Sequence, residues 1–379
     1  MDDVGTVAGA EAMLGRDREV AAALTAAPGR PVEFHAPCGF GKSVLLGQVA
    51  ARLSERSGVP ALYLQVGGYG PNDLRQRLTG LLCTSDVPLS GVRATLLLDD
   101  VSLGPDELRE VLDDLPRCTV IIGCNRPLLG RRGRSILLTG LPTDLARQAL
   151  CRYLGRDLTA AERVDADRLC RLVGGQPLRL RQAAALVRDG RHQFGHLTRA
   201  VERDPDALDR LGIDALSRPQ QRTLALLAFA AGALLPAGLV GYVIGRGDIR
   251  PILESLHERG LGERTGDRFG LAVRHADDYL ALLMDELTLA DAVSSIVSWI
   301  GRQEPGGAQA LDAADAALSI ISHAVEHRDW RVVADLATVI EPIFALAGRW
   351  NAWSAAVTAG LEATRQLRDL TTKHRAVAG

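Results

Sequence analysis

Residues 31–54, PVEFHAPCGFGKSVLLGQVAARLS, constrain the fold more than any other stretch of the chain. A short strand is expected at 32–35, a turn bearing glycine and proline follows, and apolar residues recur at helical spacing from Val44 to Leu53. The turn, Ala36-Pro37-Cys38-Gly39-Phe40-Gly41-Lys42-Ser43, fits the P-loop pattern with alanine in place of the first glycine. Each residue type has a physical reason to be there. Backbone N–H groups of a turn that opens a helix converge on phosphate oxygens, and Gly39 and Gly41 permit close approach. Lys42 neutralises β/γ charge and Ser43 offers an oxygen to Mg2+, while Cys38, Phe40 and Val44 complete the cradle. Lysine is otherwise nearly absent: of 44 basic residues, only Lys42 and Lys373 are lysines.

A nucleotide-hydrolysing site needs a second, carboxylate-bearing strand. After an expected strand at 61–66 and a helix at 72–83, the apolar run Ala94 to Leu98 ends in Asp99-Asp100, a hydrophobic strand followed by acids as in Walker B. Asp99 would hold Mg2+, directly or through water, and Asp100 would orient or deprotonate the attacking water. The alternation continues with a helix at 105–115 and strands at 119–123 and 135–139. Repeated β–α units with continuous apolar strands imply an α/β fold, a parallel sheet with helices on both faces. Cys124-Asn125-Arg126 close the fourth strand, where Arg126 could touch the γ-phosphate.

Composition narrows the remaining classes. At about 150 residues per domain, 379 residues suggest two to three domains. With 47% hydrophobic and 24% charged residues, the chain reads as globular. No apolar run reaches the roughly 18 residues of a membrane span, and the acidic start lacks the pattern of a signal peptide. A cytoplasmic protein without membrane contact is expected. A net charge of −2 gives no global electrostatic case for nucleic acid. Six cysteines without a CxxC pair suggest reduced thiols rather than zinc or disulfides.

Two further segments complete a pattern: Leu14-Gly15-Arg16-Asp17-Arg18-Glu19 upstream, and Gly174-Gly175-Gln176-Pro177-Leu178 downstream. In this order with the P-loop, the Asp pair and CNR at 124–126, the sequence resembles the NB-ARC group of STAND signalling ATPases over roughly residues 11–290. The resemblance implies that the Arg16 segment contacts adenine, that Pro177 packs on the base, and that ATP or ADP is bound with Mg2+. It also implies a histidine that contacts the ADP β-phosphate; the candidate is His275 in Arg274-His275-Ala276-Asp277, with an irregular offset to Tyr279. Ala36 and Cys38 depart from the pattern, and Cys38 raises the idea of a redox switch beside the phosphates. Taken alone, GGQPL reads equally well as a helix C-cap and restart.

Four domains are expected: a P-loop nucleotide-binding domain (1–140), a helical lid (141–204), a winged-helix domain (205–290) and a C-terminal α-helical, TPR-like segment (291–379). The lid should contain helices opening near Thr143 or Asp144 and ending at Gly190. Helical patterns at 219–232, 236–244 and 248–259 precede a hairpin from Leu261 to Leu271 with Thr265-Gly266-Asp267 at its centre. A winged helix invites a DNA-binding reading, but residues 248–259 set Asp248, Glu254 and Glu258 against Arg250 and Arg259, the wrong sign for a groove. All four tryptophans follow residue 298, and helices at 308–327, 330–347 and 351–368 look like the start of a TPR array. His323 and His327 match an HxxEH zinc pattern without a third ligand and read better as ordinary helix histidines.

These readings converge on an ATP/ADP-switched signalling NTPase. By resemblance, ADP is clamped in a closed form, ATP opens it toward a homo-oligomer, and slow hydrolysis through Asp99, Asp100 and Arg126 times the return. With about ten residues ahead of the first family motif, the sensor or effector is expected on a protein partner or on a part of the protein outside this sequence. The alternatives are a winged-helix DNA-binding regulator and an inactive, ADP-bound scaffold.

Overall fold

The computed structural model describes residues 14–56, 61–67, 69–83, 88–230, 233–272, 283, 287–304 and 306–377. These fall into two compact units: Met1–Gly67, Leu74–Leu216 and His257–Leu261 form one, and Gly68–Asp73, Ser217–Leu256 and Gly262–Gly379 the other.

The first unit holds a five-stranded sheet. In chain order it contains α1 (Asp17–Leu24), β1 (Val32–His35), α2 (Lys42–Arg56), β2 (Ala61–Gln65), most of α3 (Pro71–Leu82), β3 (Thr95–Val101), α4 (Pro105–Asp113), β4 (Thr119–Cys124) and β5 (Arg134–Leu137). The strand order is β2-β3-β4-β1-β5, and every neighbouring pair is parallel. Successive side chains of a strand point to opposite faces, yet Leu96, Leu97 and Leu98 are all fully buried. Both faces of β3 are therefore covered, which is why its first residues read as an unbroken apolar run. Against one face pack α1 and α2, bringing Val20, Ala23, Leu45 and Val49 onto Phe34, Tyr63, Leu97 and Ile121.

Five further helices complete this unit: α5 (Thr143–Leu154), α6 (Ala160–Leu172), α7 (Pro177–Arg188), α8 (Phe194–Arg203) and α9 (Ala207–Asp214). They share a core that includes Leu150, Leu169, Leu180, Phe194, Leu197 and Leu208. Helix α5 begins at Thr143 without a side-chain cap. Helix α6 begins with a capping box, Thr159 and Glu162 each satisfying the other's backbone N–H.

The second unit contains α10 (Arg218–Phe229), β6 (Leu235–Pro236), α11 (Ala237–Ile244), most of α12 (Arg250–Glu258), β7 (Gly262–Thr265) and β8 (Arg268–Leu271). The strands form an antiparallel sheet, β6-β8-β7, whose hairpin turns at Gly266 with φ +61°. Sequence patterning finds the hairpin but not β6, which is only two residues long. Four more helices follow: α13 (Leu289–Ile300), α14 (Ala308–Glu326), α15 (Trp330–Leu346) and α16 (Trp350–Val377). Ala313, Ala316, Ala317 and Ala324 of α14 are buried, the small side chains that let neighbouring helices approach closely. At the α15–α16 turn, Arg349 is buried, donates to both oxygens of Asp315 at 2.9 and 3.0 Å, and lies 4.1 Å from the Tyr69 ring centroid. The His323 and His327 rings lie tilted, with centroids 4.2 Å apart, at the C-terminal end of α14, and no group of three or more metal-ligating side chains occurs among the described residues. No described helix is long and apolar enough to cross a membrane.

Candidate functional site

The C-terminal end of β1 runs straight into the glycine turn, and α2 starts at Lys42. Gly39 and Gly41 adopt φ +86° and +87°, a region that L side chains rarely adopt, so the turn strongly favours glycine at both positions. The Lys42 ammonium is buried at the turn it terminates, donating to the carbonyls of Ala36 at 2.8 Å and Pro37 at 3.1 Å. Ser43 and Val44 are exposed in the first turn of α2, while Cys38, Gly39, Phe40 and Gly41 are half-buried. Phe40 packs against the α1–α2 core, which anchors the turn from its far side.

Asp99 and Asp100 lie within β3, which continues to Val101, beyond the strand end expected from the apolar run. The β3–β4 register shifts between Leu98 and Val101, and Asp100 takes φ +56°. This bulge re-aims both acids at the end of the sheet. Asp99 is buried at 1% exposure. Its Oδ2 accepts the Tyr63 hydroxyl at 2.6 Å and its Oδ1 accepts the Asp100 N–H at 2.9 Å. Room for that carboxylate comes from Gly123 on β4, where a Cβ would sit 2.7 Å from Asp99 Oδ1. A Cβ at Gly67 would likewise meet Asp100 Oδ2 at 2.8 Å. Tyr63, Gly67 and Gly123 escape a motif search: the tyrosine reads as a core aromatic and the glycines as loop or strand filler.

Arg126 is exposed just after β4 and Asn125 is half-buried. The loop they begin is fastened from below by Glu33 of β1. Glu33 is fully buried, and its Oε2 accepts the backbone N–H groups of Leu128 at 2.9 Å and Leu129 at 3.1 Å. The Cys124 thiol also donates to this oxygen, and burial pushes that thiol up to about 12.

The GGQPL segment meets the glycine turn directly. Gly174 and Gly175 end α6, their N–H groups bonding to Arg171 and Cys170 carbonyls, and Pro177 opens α7 behind its N-cap Gln176. The reading as cap and restart therefore holds. The second glycine also has a further reason. Gly175 has φ +64°, and a Cβ there would lie 2.0 Å from the Leu141 carbonyl oxygen, so the crossing of 140–141 over 174–175 admits no side chain. From that crossing, Gln176 Nε2 donates to the Cys38 carbonyl at 2.8 Å and the Leu178 N–H donates to the Gly39 carbonyl at 3.2 Å. The second bond satisfies one of the donors that a helix start leaves without an intrahelical partner. Pro177 is half-buried beside these contacts. Arg16 is buried, pairs with Glu19 at 3.1 Å and donates to the Thr139 carbonyl, tying α1 to the segment that enters α5. His275 lies outside the described residues.

The chemistry of this donor set fits a magnesium nucleotide. A glycine turn at a helix start, a buried ammonium, a hydroxyl and a buried carboxylate supply N–H donors, a cation and hard oxygen ligands. Each Asp99 oxygen accepts one hydrogen bond within the protein.

No family model matches the chain, and no curated protein matches it in sequence. Among solved structures, a signal transduction ATPase with numerous domains (STAND) carrying a tetratricopeptide repeat sensor, from Pyrococcus horikoshii, aligns with TM-score 0.50 and 15% identity. That alignment covers 94% of this chain and 65% of the other, so the chain spans about two-thirds of the length of that protein. Cdc6p from Pyrobaculum aerophilum aligns with TM-score 0.36 and 14% identity, covering 75% of this chain and 97% of the other. Domain III of the Thermotoga maritima replication initiation protein DnaA gives 0.35 and 16%, with coverage of 55% and 98%. The last two are too distant to carry an argument. The first shows the fold: a five-stranded parallel sheet with helices, followed by helical segments.

Proposed function

We propose that this chain is an ATP/ADP-binding switch of the STAND type, with slow Mg2+-dependent hydrolysis. The observation that carries the reading is the pair of hydrogen bonds from Gln176 and Leu178 to the carbonyls of Cys38 and Gly39. With their carbonyls held from outside, these peptide units keep their N–H edges toward the phosphate side, so nucleotide binding and lid position become one structural event. Lys42 and the turn N–H groups bind the phosphates, and Ser43 with Asp99 would hold Mg2+. When bound, the metal withdraws charge from the β- and γ-phosphates. Tyr63 fixes the orientation of Asp99, Asp100 orients or deprotonates water, and Arg126 meets the γ-phosphate. Arg16 and Pro177 are the residues of this reading that face the base, and His275 is the candidate for the ADP β-phosphate.

The division into a nucleotide domain (1–140), a lid (141–204), a winged helix (205–290) and a TPR-like segment (291–379) belongs to the same proposal. The order α10, α11, α12 and a β-hairpin supports the winged helix. DNA reading by α12 finds no support: Arg250 pairs with Asp267 at 2.6 Å, and Glu254 pairs with Arg264 at 2.7 Å. A protein partner supplies or receives the signal, in the cytoplasm, and the ATP form is the one that self-associates.

Light scattering on the purified chain with Mg-ADP and with a non-hydrolysable Mg-ATP analogue tests this proposal. The expected result is a larger assembly with the ATP analogue, together with slow turnover of ATP that Asp99→Asn abolishes. Absence of measurable affinity for either nucleotide would sink it. Tight ADP without turnover or change of size would leave an inactive scaffold.

A further inference from the structure

We propose that Glu33 is a positioning residue for the Asn125-Arg126 turn, and that through it the chain distinguishes a nucleoside triphosphate from a diphosphate. The inference rests on the reading of Arg126 as the γ-phosphate contact. Glu33 sits three residues before the glycine turn, on a strand flanked by β4 and β5. A carboxylate with no exposure, in a position where a four-residue strand would ordinarily place another apolar side chain, is unfavourable unless something requires it. Among the described residues it has no ion-pair partner, and its Oε1 has no hydrogen-bond partner. Everything it does is done by Oε2, which takes the N–H groups of Leu128 and Leu129 and the Cys124 thiol.

Those two N–H groups belong to residues that are themselves buried, at 6% exposure each, so without Glu33 they would be orphaned in the interior. They also lie two and three residues beyond Arg126. The β4–β5 loop thus leaves the sheet at Cys124, carries Arg126 outward, and is pulled back onto the strand that feeds the phosphate turn. At the other end of the same link, the Ala36 N–H donates to the Cys124 carbonyl at 3.2 Å. The turn bearing Arg126 is therefore pinned at both ends to the strand that positions the phosphates, and the distance between arginine and γ-phosphate is set by Glu33. A core apolar residue at position 33 would pack equally well but would leave the far end of the turn loose.

The test measures affinity for Mg-ADP and for a non-hydrolysable Mg-ATP analogue in the wild-type chain and in Glu33→Leu, Glu33→Gln, Arg126→Ala and the Glu33→Leu/Arg126→Ala double variant. Glutamine retains an oxygen able to accept both N–H groups. The expected result for Glu33→Leu is an ATP-to-ADP preference reduced about tenfold, since small misplacement of a contacting group can forfeit one to two orders of magnitude. Affinity for ADP should change little, Glu33→Gln should restore the preference, and Glu33→Leu should change nothing further once Arg126 is gone. A merely structural role predicts otherwise: ADP and ATP affinity falling together, or a further loss in the double variant. Either result would overturn the inference while leaving the functional reading intact. A wild-type chain that binds neither nucleotide would overturn both.

Discussion

Gly39→Ala is the sharpest probe of the phosphate turn, because the structure defines two separate penalties. The backbone at φ +86° disfavours any L side chain by about 1–2 kcal/mol. The new Cβ would also lie 2.7 Å from Gln176 Nε2 and 2.8 Å from Leu178 Cβ, so α7 must move away and its bonds to Cys38 and Gly39 weaken. Each such bond contributes about 1 kcal/mol. The free protein can shed the strain by letting the turn relax, and bound phosphate must restore it, so the penalty falls on binding. A total of about 3 kcal/mol corresponds to roughly a hundredfold loss of affinity for Mg-ADP, measured by isothermal titration calorimetry. Gly190→Ala is the control: φ is +70° there and a Cβ meets nothing within 4 Å, so stability should fall modestly and ADP affinity should not change. Gly39→Ala protein that is folded and binds ADP within about threefold of wild type would refute the reasoning, since threefold is under 1 kcal/mol.

Three further outcomes follow from the geometry. Hydrogen bonding from Arg156 and the Thr159 backbone holds the Glu162 carboxyl down at about 2, so its stabilisation of α6 is fully present above the ordinary carboxylate range and is lost as pH falls from about 4.5 through 2. Glu162→Gln should lower stability at pH 7 by on the order of 1 kcal/mol in urea denaturation and flatten that acid limb. Burial pushes the thiols of Cys118 and Cys170 up, the latter to about 11, so iodoacetamide at pH 8 should label the half-buried Cys38, Cys83 and Cys151 before the buried three, as read by peptide mass spectrometry. Bound nucleotide should slow labelling at Cys38 alone. Arg349→Met removes the guanidinium from Asp315, whose side chain is about a third exposed and can be hydrated, and from the buried Asp73, and should destabilise the C-terminal helices by on the order of 1–3 kcal/mol in chemical denaturation.

Strands β2, β3 and β4 are legible in the sequence because they are buried on both faces and appear as short apolar runs at nearly their observed bounds, whereas the edge strand β5 is largely exposed. The order of the sheet is not legible. Nothing local in VEFH says that β1 lies between β4 and β5, because that is decided by packing between segments about ninety residues apart. The glycine turn and the Asp pair are legible as motifs, since their spacing is fixed by chemistry. The residues that support them are not. Tyr63 looks like any core aromatic until its hydroxyl is found on Asp99, and Gly123 looks like a weak strand residue until the space beside that carboxylate is seen. Glu33 reads as the polar member of an alternating strand, whereas it is buried. Helix α13 lies where sequence patterning marks only the start of a new domain.

The central claim is that residues 36–43 hold a nucleotide. The purified wild-type chain and Lys42→Ala should be denatured and the released nucleotide quantified by chromatography. Wild type is expected to release close to one ADP or ATP per chain, and Lys42→Ala, lacking the buried ammonium at the turn, almost none. A wild-type chain that is empty and also fails to take up added Mg-ATP would contradict the account.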